Sequence, residues 1–298
     1  MLAPICLFTY KRLPETIQTV EALKNNYLAP ESNLIIYSDG PKHKTDKEGV
    51  NAVREFLHSV SGFKSVKVIE SSVNNGLARS IVSGVTEIIN RYGKIIVLED
   101  DIVTSQGFLK YMNDALEYYK DTEDVMQVSA FMFSIDSGGL PDTFFYQANS
   151  CWGWGTWKRA WKYYSDDAGQ LLNGLKQKGM DWEEYNSYQG REFQKQLIAN
   201  IKGSMKTWAV KWHTVMKLRN GKVLHPKISY VQNIGFNGTG ENCGVGGIEG
   251  MINNNLALDV TDAEKHSGHE AIERLKTYFK KRYSYRSKIQ RKLAYYFK

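Results

Sequence analysis

The segment Lys94-Ile-Ile-Val-Leu-Glu-Asp-Asp101 places four consecutive apolar residues directly before three carboxylates. A continuous apolar run of this kind predicts a strand that is buried on both faces and delivers its acids to the carboxyl edge of a sheet. Adjacent carboxylates repel one another, and a buried strand end holds them only where a cation compensates their charge. The segment therefore predicts a largely parallel sheet that is buried on both faces, and a strand end whose carboxylates need a compensating cation.

Two interpretations of the three carboxylates stay open on the sequence alone. A divalent cation carrying a diphosphate would compensate them, because Mg²⁺ and Mn²⁺ prefer oxygen ligands and are usually held by one or two carboxylates plus substrate phosphates. Alternatively, Asp100 or Asp101 is the N-cap of a helix that starts near Ser105.

Composition fits a globular chain. With 298 residues and 42% hydrophobic content, the chain is long enough for one large domain, or one and a half. No segment approaches the roughly 20 apolar residues that span a bilayer, and residues 1–5 enter a strand pattern without a charged leader, so we expect neither export nor membrane insertion. Cys6, Cys151 and Cys243 are odd in number and far apart, which fits neither a disulfide framework nor a zinc site. A reducing cytoplasm is the expected location.

Strand and helix patterns alternate along the first 100 residues. The patterns predict strands at 4–9, 33–37, 65–69 and 94–98, and helices at 13–26, 51–60 and 77–91. This alternation predicts a mostly parallel sheet with helices on both faces. Ligands of such sheets bind outside the carboxyl ends of the strands.

Three predicted strand ends carry polar groups. These are Thr9 to Arg12, Asp39, and Glu99 to Asp101. Because the carboxyl ends of parallel strands meet at one edge of a sheet, we expect the three groups to contribute to one site.

The second half of the chain is aromatic and rich in glycine. The run Cys151-Trp-Gly-Trp-Gly-Thr-Trp157 predicts a loop that enters a helix. Its indoles would either close the core or form a platform for a sugar ring, and the glycines favour the surface, because they let a ligand approach the backbone. Further on, residues 235–247 contain many glycines and follow a strand-like 227–231. This segment is either a phosphate cradle or lid, or a flexible linker.

The net charge of +7 comes from the C-terminal end. Residues 274–298 hold ten Lys or Arg, no acid and seven aromatic residues, so the first 273 residues sum to −3 (7 minus 10). The pattern predicts a basic amphipathic helix on an anionic membrane surface. Binding to nucleic acid and packing on the chain's own domain are the alternatives.

Several short motifs, in their order along the chain, resemble a known family. They are Ser38-Asp39-Gly40, Asn75-Gly-Leu-Ala-Arg79, Val97-Leu-Glu-Asp-Asp101, the Trp-Gly run, and His225-Pro226-Lys-Ile-Ser with the glycine-rich segment. Over residues 3–250 the chain resembles nucleotide-sugar-dependent glycosyltransferases of the GT-A fold. It is similar to bacterial sugar transferases of surface-polysaccharide loci and, in plan, to N-acetylglucosaminyltransferase I.

The resemblance implies an α/β GT-A fold, Rossmann-like and mostly parallel, with a basic C-terminal helical tail. It implies a glycosyltransferase domain over 1–250, with a nucleotide-binding half at 1–129 and an acceptor half at 130–250. Residues 251–298 would form a C-terminal extension.

The resemblance also implies residue roles. Asp39, followed by Gly40, would accept the uracil N3 proton, and the loop holding Thr9, Tyr10 and Arg12 would lie beside the base. Arg79 would lie near the nucleotide. Glu99 and Asp100 would hold the ribose, and Asp101 would be a ligand of Mn²⁺ or Mg²⁺. Trp152 and Trp154 would shape the sugar pocket. Asn242 is a further cofactor-binding candidate, although relatives often have a His there, so a third protein ligand to the metal is not implied.

The general base does not carry over from the family. Aligning its strand start with His225-Pro226 places Ala209 at the base position, and alanine cannot accept a proton. Either another group serves, or the mechanism retains configuration and needs no such base. The substitute candidates are Asp181, Glu183, Glu184 and His213, of which the three acids also suit a solvated helix start.

These observations predict metal-dependent transfer of a sugar from a nucleotide sugar, most readily a UDP-sugar, to an acceptor hydroxyl, with inversion as the expected outcome. A lipid-linked glycan at the cytoplasmic face of the inner membrane would suit the basic tail, making the protein peripheral on that membrane. The alternatives are a nucleotidyltransferase on a similar sheet, a catalytically decayed carbohydrate-binding protein, and nucleic-acid binding through the tail, of which the last is not expected.

Overall fold

The protein is described by a computed structural model that covers residues 1–236, 252–253, 258–266 and 268–284. The strands in this part of the chain are β1 Ile5–Thr9, β2 Asn33–Ser38, β3 Ser65–Glu70, β4 Lys94–Glu99, β5 Ile102–Thr104, β6 Val125–Ser129, β7 Thr143–Phe145, β8 Trp154–Trp157, β9 Lys222–Pro226 and β10 Val231–Asn233. The helices are α1 Leu13–Lys24, α2 Lys47–Ser59, α3 Leu77–Tyr92, α4 Phe108–Tyr118, α5 Lys158–Trp161, α6 Ala168–Gln177, α7 Trp182–Tyr185, α8 Glu192–Ile201, α9 Ala209–Leu218, α10 Asp262–Lys265 and α11 His269–Arg282.

Eight of the described strands form one sheet in the order β3-β2-β1-β4-β8-β6-β9-β7, and β5 pairs separately with β10. Strands β3, β2, β1 and β4 are parallel, as are β6 and β9, whereas β8 and β7 run antiparallel to their neighbours. The prediction of an α/β fold with a mostly parallel sheet and flanking helices is confirmed. The strands and helices up to residue 99 lie where the sequence patterns place them.

Apolar side chains cover both faces of the sheet. In β1, Ile5 and Leu7 belong to one buried cluster, and Cys6 and Phe8 belong to another. The four apolar residues 95–98 of β4 are fully buried. Helices on both faces therefore fix the strand ends and the polar residues that follow them.

The Trp-Gly run is a strand and not the loop that the sequence predicts. Strand β8 lies between β4 and β6, and its Trp154 and Trp157 are buried. A Cβ on Gly155 would lie 2.9 Å from the carbonyl oxygen of Ile95 and 3.0 Å from Cε of Met112. The glycine thus serves close packing between β4 and α4, because no other residue leaves this space.

The strand predicted at 227–231 is also displaced. Strand β9 ends at Pro226 and β10 begins at Val231, so most of the predicted segment connects two strands. Most of the glycine-rich segment, including Asn242, lies outside the described residues, and its role as a phosphate cradle stays a prediction.

Helix α11 packs on the domain through the face that would otherwise enter a membrane. Its Ala271, Leu275 and Phe279 are buried against Met132 and Phe144. The apolar face of residues 274–282 is therefore not available to lipid, and membrane contact of this helix stays a prediction. Residues 285–298 of the predicted tail lie outside the described residues. Among the described helices, none combines the length and apolar content needed to cross a membrane.

Candidate active site

A cavity of about 350 Å³ lies at the carboxyl ends of β1, β2 and β4. The three polar strand ends expected to share a site all contribute to it. Its lining residues are Phe8, Thr9, Tyr10, Lys11, Arg12, Tyr37, Asp39, Lys42, His43, Asp46, Asn74, Gly76, Leu77, Ser80, Glu99, Asp100 and Asp101.

Asp39 organises the turn that leads into α3. One oxygen of its carboxylate accepts hydrogen bonds from the backbone N–H groups of Gly40 and Asn75, and the other accepts one from Gly76, each at 2.9 Å. A carboxylate has about four acceptor positions, so roughly one remains for a ligand N–H. The remaining acceptor position suits the implied contact to an imide N–H. The three hydrogen bonds to backbone N–H groups also give Asp39 a structural role.

Gly40 is required by its neighbours. A Cβ at this position would lie 2.6 Å from the backbone carbon and oxygen of Val73. Its carbonyl accepts a hydrogen bond from the side chain of Asn74 at 2.8 Å. The Asp-Gly pair therefore closes the β2 end against the segment that starts α3.

Arg54, on α2, supports the same strand ends and was missed by sequence reasoning. Its guanidinium donates hydrogen bonds to the carbonyl of Ser71 at 2.6 Å and to those of Ser38 and Asp39 at 3.3–3.4 Å. A single Arg on an amphipathic helix gives no sequence signal, because only the folded chain places it under two strand ends.

Tyr10, Lys11 and Asp46 form one wall of the cavity. The Asp46 carboxylate accepts hydrogen bonds from Lys11 Nζ at 2.6 Å and from the Tyr10 hydroxyl at 3.0 Å. The hydrogen bond from Lys11 is the main reason that the pKa of Asp46 falls to about 2. Sequence reasoning missed Asp46, which lies far from any recognised motif.

One guanidinium bridges two of the three strand-end carboxylates. Arg12 Nη2 contacts Oδ1 of Asp100 and lies 2.9 Å from Oδ2 of Asp101. The turn is further fixed by Thr19 of α1, whose hydroxyl donates to the carbonyl of Asp100 at 2.9 Å. The carboxylates thus converge on a single cationic nitrogen.

The strand end carries more negative charge than Arg12 neutralises. With Glu99 protonated, the carboxylates of Asp100 and Asp101 and the guanidinium of Arg12 sum to −1 (−2 plus 1). Burial and the neighbouring Asp101 and Asp100 raise the pKa of Glu99 to about 8. Burial raises the pKa of Asp100 to about 6, although Arg12 opposes this shift.

The residues present fit a divalent cation. Asp100 and Asp101 already direct oxygens at one positive nitrogen, and their surplus charge suits Mg²⁺ or Mn²⁺. Within the described part of the chain, no three His, Cys, Asp or Glu side chains form a metal-holding group. A two-carboxylate site completed by phosphate oxygens and water needs no such group. Asp101, which the resemblance implies as the metal ligand, is the residue that would hold the cation, with Asp100 beside it.

The segment after β10 covers this cluster. The backbone N–H of Ile234 donates to the carbonyl of Asp101 at 2.9 Å. A Cβ on Gly235 would lie 2.1 Å from Oδ2 of Asp101 and 3.1 Å from Nη1 of Arg12. The chain therefore reaches this site again at the start of the glycine-rich segment.

Besides Gly40, three candidate binding residues of the described chain lie outside the cavity lining. Arg79 is exposed on the first turn of α3. Trp152 is half-buried and packs edge-on against Phe131 with ring centroids 4.6 Å apart. Trp154 is fully buried and stacks on Trp208 at 4.9 Å. The prediction that Trp154 shapes a sugar pocket is wrong, because its ring is enclosed in the core.

The acidic candidates for the general base stand apart from the first cavity. Asp181 is the N-cap of α7 and accepts hydrogen bonds from the N–H groups of Glu183 and Glu184 at 2.8 and 2.9 Å. These acids line a second cavity that shares no lining residue with the first. The geometry matches the solvated helix start and brings none of them to the strand-end carboxylates.

His213 is a buried structural residue. Its Nε2 donates to the carbonyl of Tyr185 at 2.7 Å, and its Nδ1 accepts from the N–H of Asn149 at 3.3 Å. Burial, with Lys217 nearby, lowers its pKa to about 3. Both ring nitrogens are engaged in the neutral form, so neither is available to a substrate.

Comparisons with known proteins give only distant structural likeness. No protein-family model and no curated protein matches the chain. The chain is similar to S. aureus TarS (12% identity, TM-score 0.43, covering 78% of this chain and 36% of that one). It is similar to the mannosyltransferase PcManGT from Pyrobaculum calidifontis in complex with GDP-Man and Mn²⁺ (10% identity, TM-score 0.41, covering 73% of this chain and 70% of that one). It is also similar to S. aureus TarS 1-349 (11% identity, TM-score 0.42, covering 76% of this chain and 59% of that one).

The chain thus spans 36% of the first of these structures and 59% of the third. With TM-scores of 0.41 to 0.43, these likenesses carry no argument about what the chain binds or does.

Proposed function

We propose that the chain is a metal-dependent glycosyltransferase that takes a sugar from a nucleotide sugar, with a UDP-sugar as the favoured donor. The observation that carries the proposal is the convergence of Asp100 and Asp101 on one cationic nitrogen inside a cavity at three parallel strand ends. A surplus of buried negative charge at the carboxyl edge of an α/β sheet fits a cation that binds phosphates.

Each part of the cavity has a role in this proposal. Asp39 would accept the base N–H with its remaining acceptor position, beside the wall formed by Tyr10. Glu99 and Asp100 would accept hydrogen bonds from the ribose, and Asp101 would hold the cation. The bound cation supplies neutralisation of the charge that grows on the departing nucleoside diphosphate. The resemblance described above supports the same assignment.

Isothermal titration with UDP and GDP, each with and without Mn²⁺, tests the proposal. We expect UDP binding that needs Mn²⁺ and that weakens at least about tenfold, or ~1.4 kcal/mol, in Asp101→Asn. The matched control is Asp121→Asn, since Asp121 is exposed in the turn after α4. Binding of neither nucleotide by the wild type would rule the donor site out, and equal loss in both variants would remove Asp101 from it.

A nucleotidyltransferase is the alternative that the same carboxylates allow, because it also uses acids and a metal. It would consume a nucleoside triphosphate and release pyrophosphate, whereas the proposed enzyme releases a nucleoside diphosphate from a nucleotide sugar. Product analysis with both donor types separates the two. Absence of turnover with every donor would favour a carbohydrate-binding protein.

We further propose that the acceptor is a lipid-linked glycan and that the C-terminal end of the chain contacts an anionic membrane. The last turn of α11 holds Lys280, Lys281 and Arg282, while the apolar face of the helix packs inward. Contact would therefore be electrostatic, each cation contributing about 1 kcal/mol near the surface. The variant Lys280→Gln/Lys281→Gln should lose binding to phosphatidylserine vesicles relative to Lys176→Gln on α6. Unchanged binding would reject a role for this turn.

A further inference from the structure

The contacts of Arg12 make it a competitor of the cation that the proposed function requires. Its Nη2 is shared between Asp100 and Asp101, and the contact to Oδ2 of Asp101 is 2.9 Å long. A divalent cation held by Asp100 and Asp101 would use oxygens of the same two carboxylates. A guanidinium and a divalent cation on these carboxylates repel each other, so each weakens the binding of the other.

The second terminal nitrogen of Arg12 shows where the guanidinium has unused binding capacity. Nη1 is buried and has no hydrogen-bond partner within the described residues. An unpaired buried donor of this kind is costly, so the site favours a ligand that accepts a hydrogen bond from it. Arg12 also lines the cavity, and a planar guanidinium is well suited to bidentate contact with phosphate oxygens.

The surroundings hold Arg12 in place without fixing its terminal group. Its backbone carbonyl accepts hydrogen bonds from the backbone N–H of Thr16 at 3.0 Å and from the Thr16 hydroxyl at 2.7 Å. Among the described residues, the guanidinium is held by the two carboxylates and by the close approach of Gly235. The root of the side chain is therefore anchored at the start of α1, while its end depends on the charge of the cavity.

From this geometry we infer that Arg12 is a counter-cation exchanged on ligand binding. It neutralises Asp100 and Asp101 when no metal is bound, and it transfers to the diphosphate when a divalent cation takes these oxygens. This inference rests on the proposed function, because it requires a metal and an anionic ligand in the same cavity. It adds that the protein opposes metal binding until the phosphates arrive.

The exchange predicts a specific binding pattern. Mn²⁺ alone should bind the wild type weakly, and UDP should strengthen Mn²⁺ binding within the roughly 5- to 150-fold range of typical site coupling, with the reciprocal effect of Mn²⁺ on UDP. In Arg12→Gln the competitor is gone, so Mn²⁺ alone should bind at least about fivefold more tightly than to the wild type. UDP with Mn²⁺ should bind that variant more weakly.

The test is isothermal titration of Mn²⁺ in the absence and presence of UDP, using the wild type, Arg12→Gln and Arg12→Lys. Arg91→Gln, an exposed substitution in the last turn of α3, is the matched control. Arg12→Lys retains a cation and should keep Mn²⁺ alone weak. A residue with a merely structural role would not increase the affinity for Mn²⁺ when it is removed.

Thermal unfolding provides a second readout. Without metal, Arg12→Gln should unfold at a lower temperature than the wild type, because the carboxylates lose their partner, and Mn²⁺ should raise its Tm more than that of the wild type. If the variant does not fold, the wild type still decides: Mn²⁺ binding that is equally tight with and without UDP overturns the exchange.

The outcomes separate this inference from the proposed function. Wild-type UDP binding that depends on Mn²⁺, together with unchanged Mn²⁺ affinity in Arg12→Gln, overturns the exchange and leaves the donor site standing. A wild type that binds UDP neither with nor without Mn²⁺ overturns the proposed function, and the exchange with it.

Discussion

At the scale of single residues, the site depends on side chains that satisfy the backbone as well as a ligand. The carboxylate of Asp39 accepts hydrogen bonds from three backbone N–H groups and also lines the cavity. The sequence indicates that a carboxylate follows β2, but not how much of it the turn occupies. Its contribution to stability must therefore be separated from its contribution to binding.

Asp39→Ala should lower the free energy of unfolding by about 1–3 kcal/mol, because three backbone donors lose their acceptor. Denaturant unfolding at fixed pH measures this difference. Asp121→Ala, on the exposed turn after α4, should change stability by less than about 0.5 kcal/mol. If both variants were equally stable, the Asp39 contacts would contribute little to the fold.

Gly235→Ala should weaken UDP and Mn²⁺ binding, because its Cβ would meet Oδ2 of Asp101 at 2.1 Å and push the carboxylate or the covering segment aside. Titration of Mn²⁺ with UDP measures the loss, expected to be at least about tenfold. Gly169→Ala, in the first turn of α6, is the control and should bind as the wild type does. If Gly235→Ala bound Mn²⁺ and UDP as tightly as the wild type does, the segment after β10 would have to move away from Asp101 at little cost.

At the scale of elements, α9 shows how burial on a helix keeps a titratable side chain from contacting a substrate. Lys217 on this helix is also buried, and burial lowers its pKa to about 8. With His213 neutral and doubly hydrogen-bonded, the helix holds polar groups that serve packing. Sequence reasoning placed His213 among the candidate bases because its burial depends on Tyr185 of α7 and Phe193 of α8, whose ring centroids lie 5.2 and 3.8 Å from that of His213.

The contribution of His213 to the free energy of unfolding should fall as pH drops from about 6.5 toward 4, whereas Glu99 and Asp100, whose pKa values are raised, act in the opposite direction. The pKa of His213 is lowered to about 3 by burial, so between pH 3 and the ordinary value of 6.5 the unfolded chain binds a proton that the folded chain does not. The contribution at pH 4 is on the order of 2–3 kcal/mol. His225, whose pKa burial lowers to about 4, acts in the same direction.

Denaturant unfolding across pH 4–7 measures this dependence. His213→Gln should flatten the curve relative to the wild type, and His266→Gln, an exposed substitution, should not. Parallel curves for His213→Gln and the wild type would contradict a neutral buried histidine.

At the scale of the whole molecule, the two halves of the chain share one sheet. Strand β8 comes from the second half and lies between β4 and β6, and β6 pairs only with β8 and β9 within the described sheet. A boundary near residue 129 in the sequence therefore does not separate two sheets. Strand β8 thus ties the segment up to residue 129 and the segment that follows it into one sheet, and we expect the two segments to unfold together.

Unfolding by guanidinium should be a single transition by two probes. All seven tryptophans lie between residues 152 and 212, so tryptophan fluorescence reports the second half, whereas far-UV circular dichroism reports both. The two midpoints should coincide, and residues 1–129 alone should fail to unfold cooperatively, because β4 and β6 lose β8. Two separated midpoints would show that the halves fold independently.

The parallel first half of the sheet could be predicted from the amino-acid sequence. Residues 95–98 of β4 and the alternating strand and helix patterns predict it, because burial on two faces leaves a continuous apolar run and amphipathic helices leave a 3.6-residue period. The sequence also predicted that Thr9 to Arg12, Asp39 and Glu99 to Asp101 would share one edge, since parallel strands end together.

The position of the second half of the chain and the partners of the strand-end carboxylates depend on long-range contacts. The run around Trp154 carries no period that separates a core strand from a loop, and its glycines are explained only by the packing of α4. The bridge from Arg12 to Asp100 and Asp101 joins residues almost ninety positions apart. Long-range contacts of this kind leave no local pattern, because they depend on which elements the folded sheet brings together.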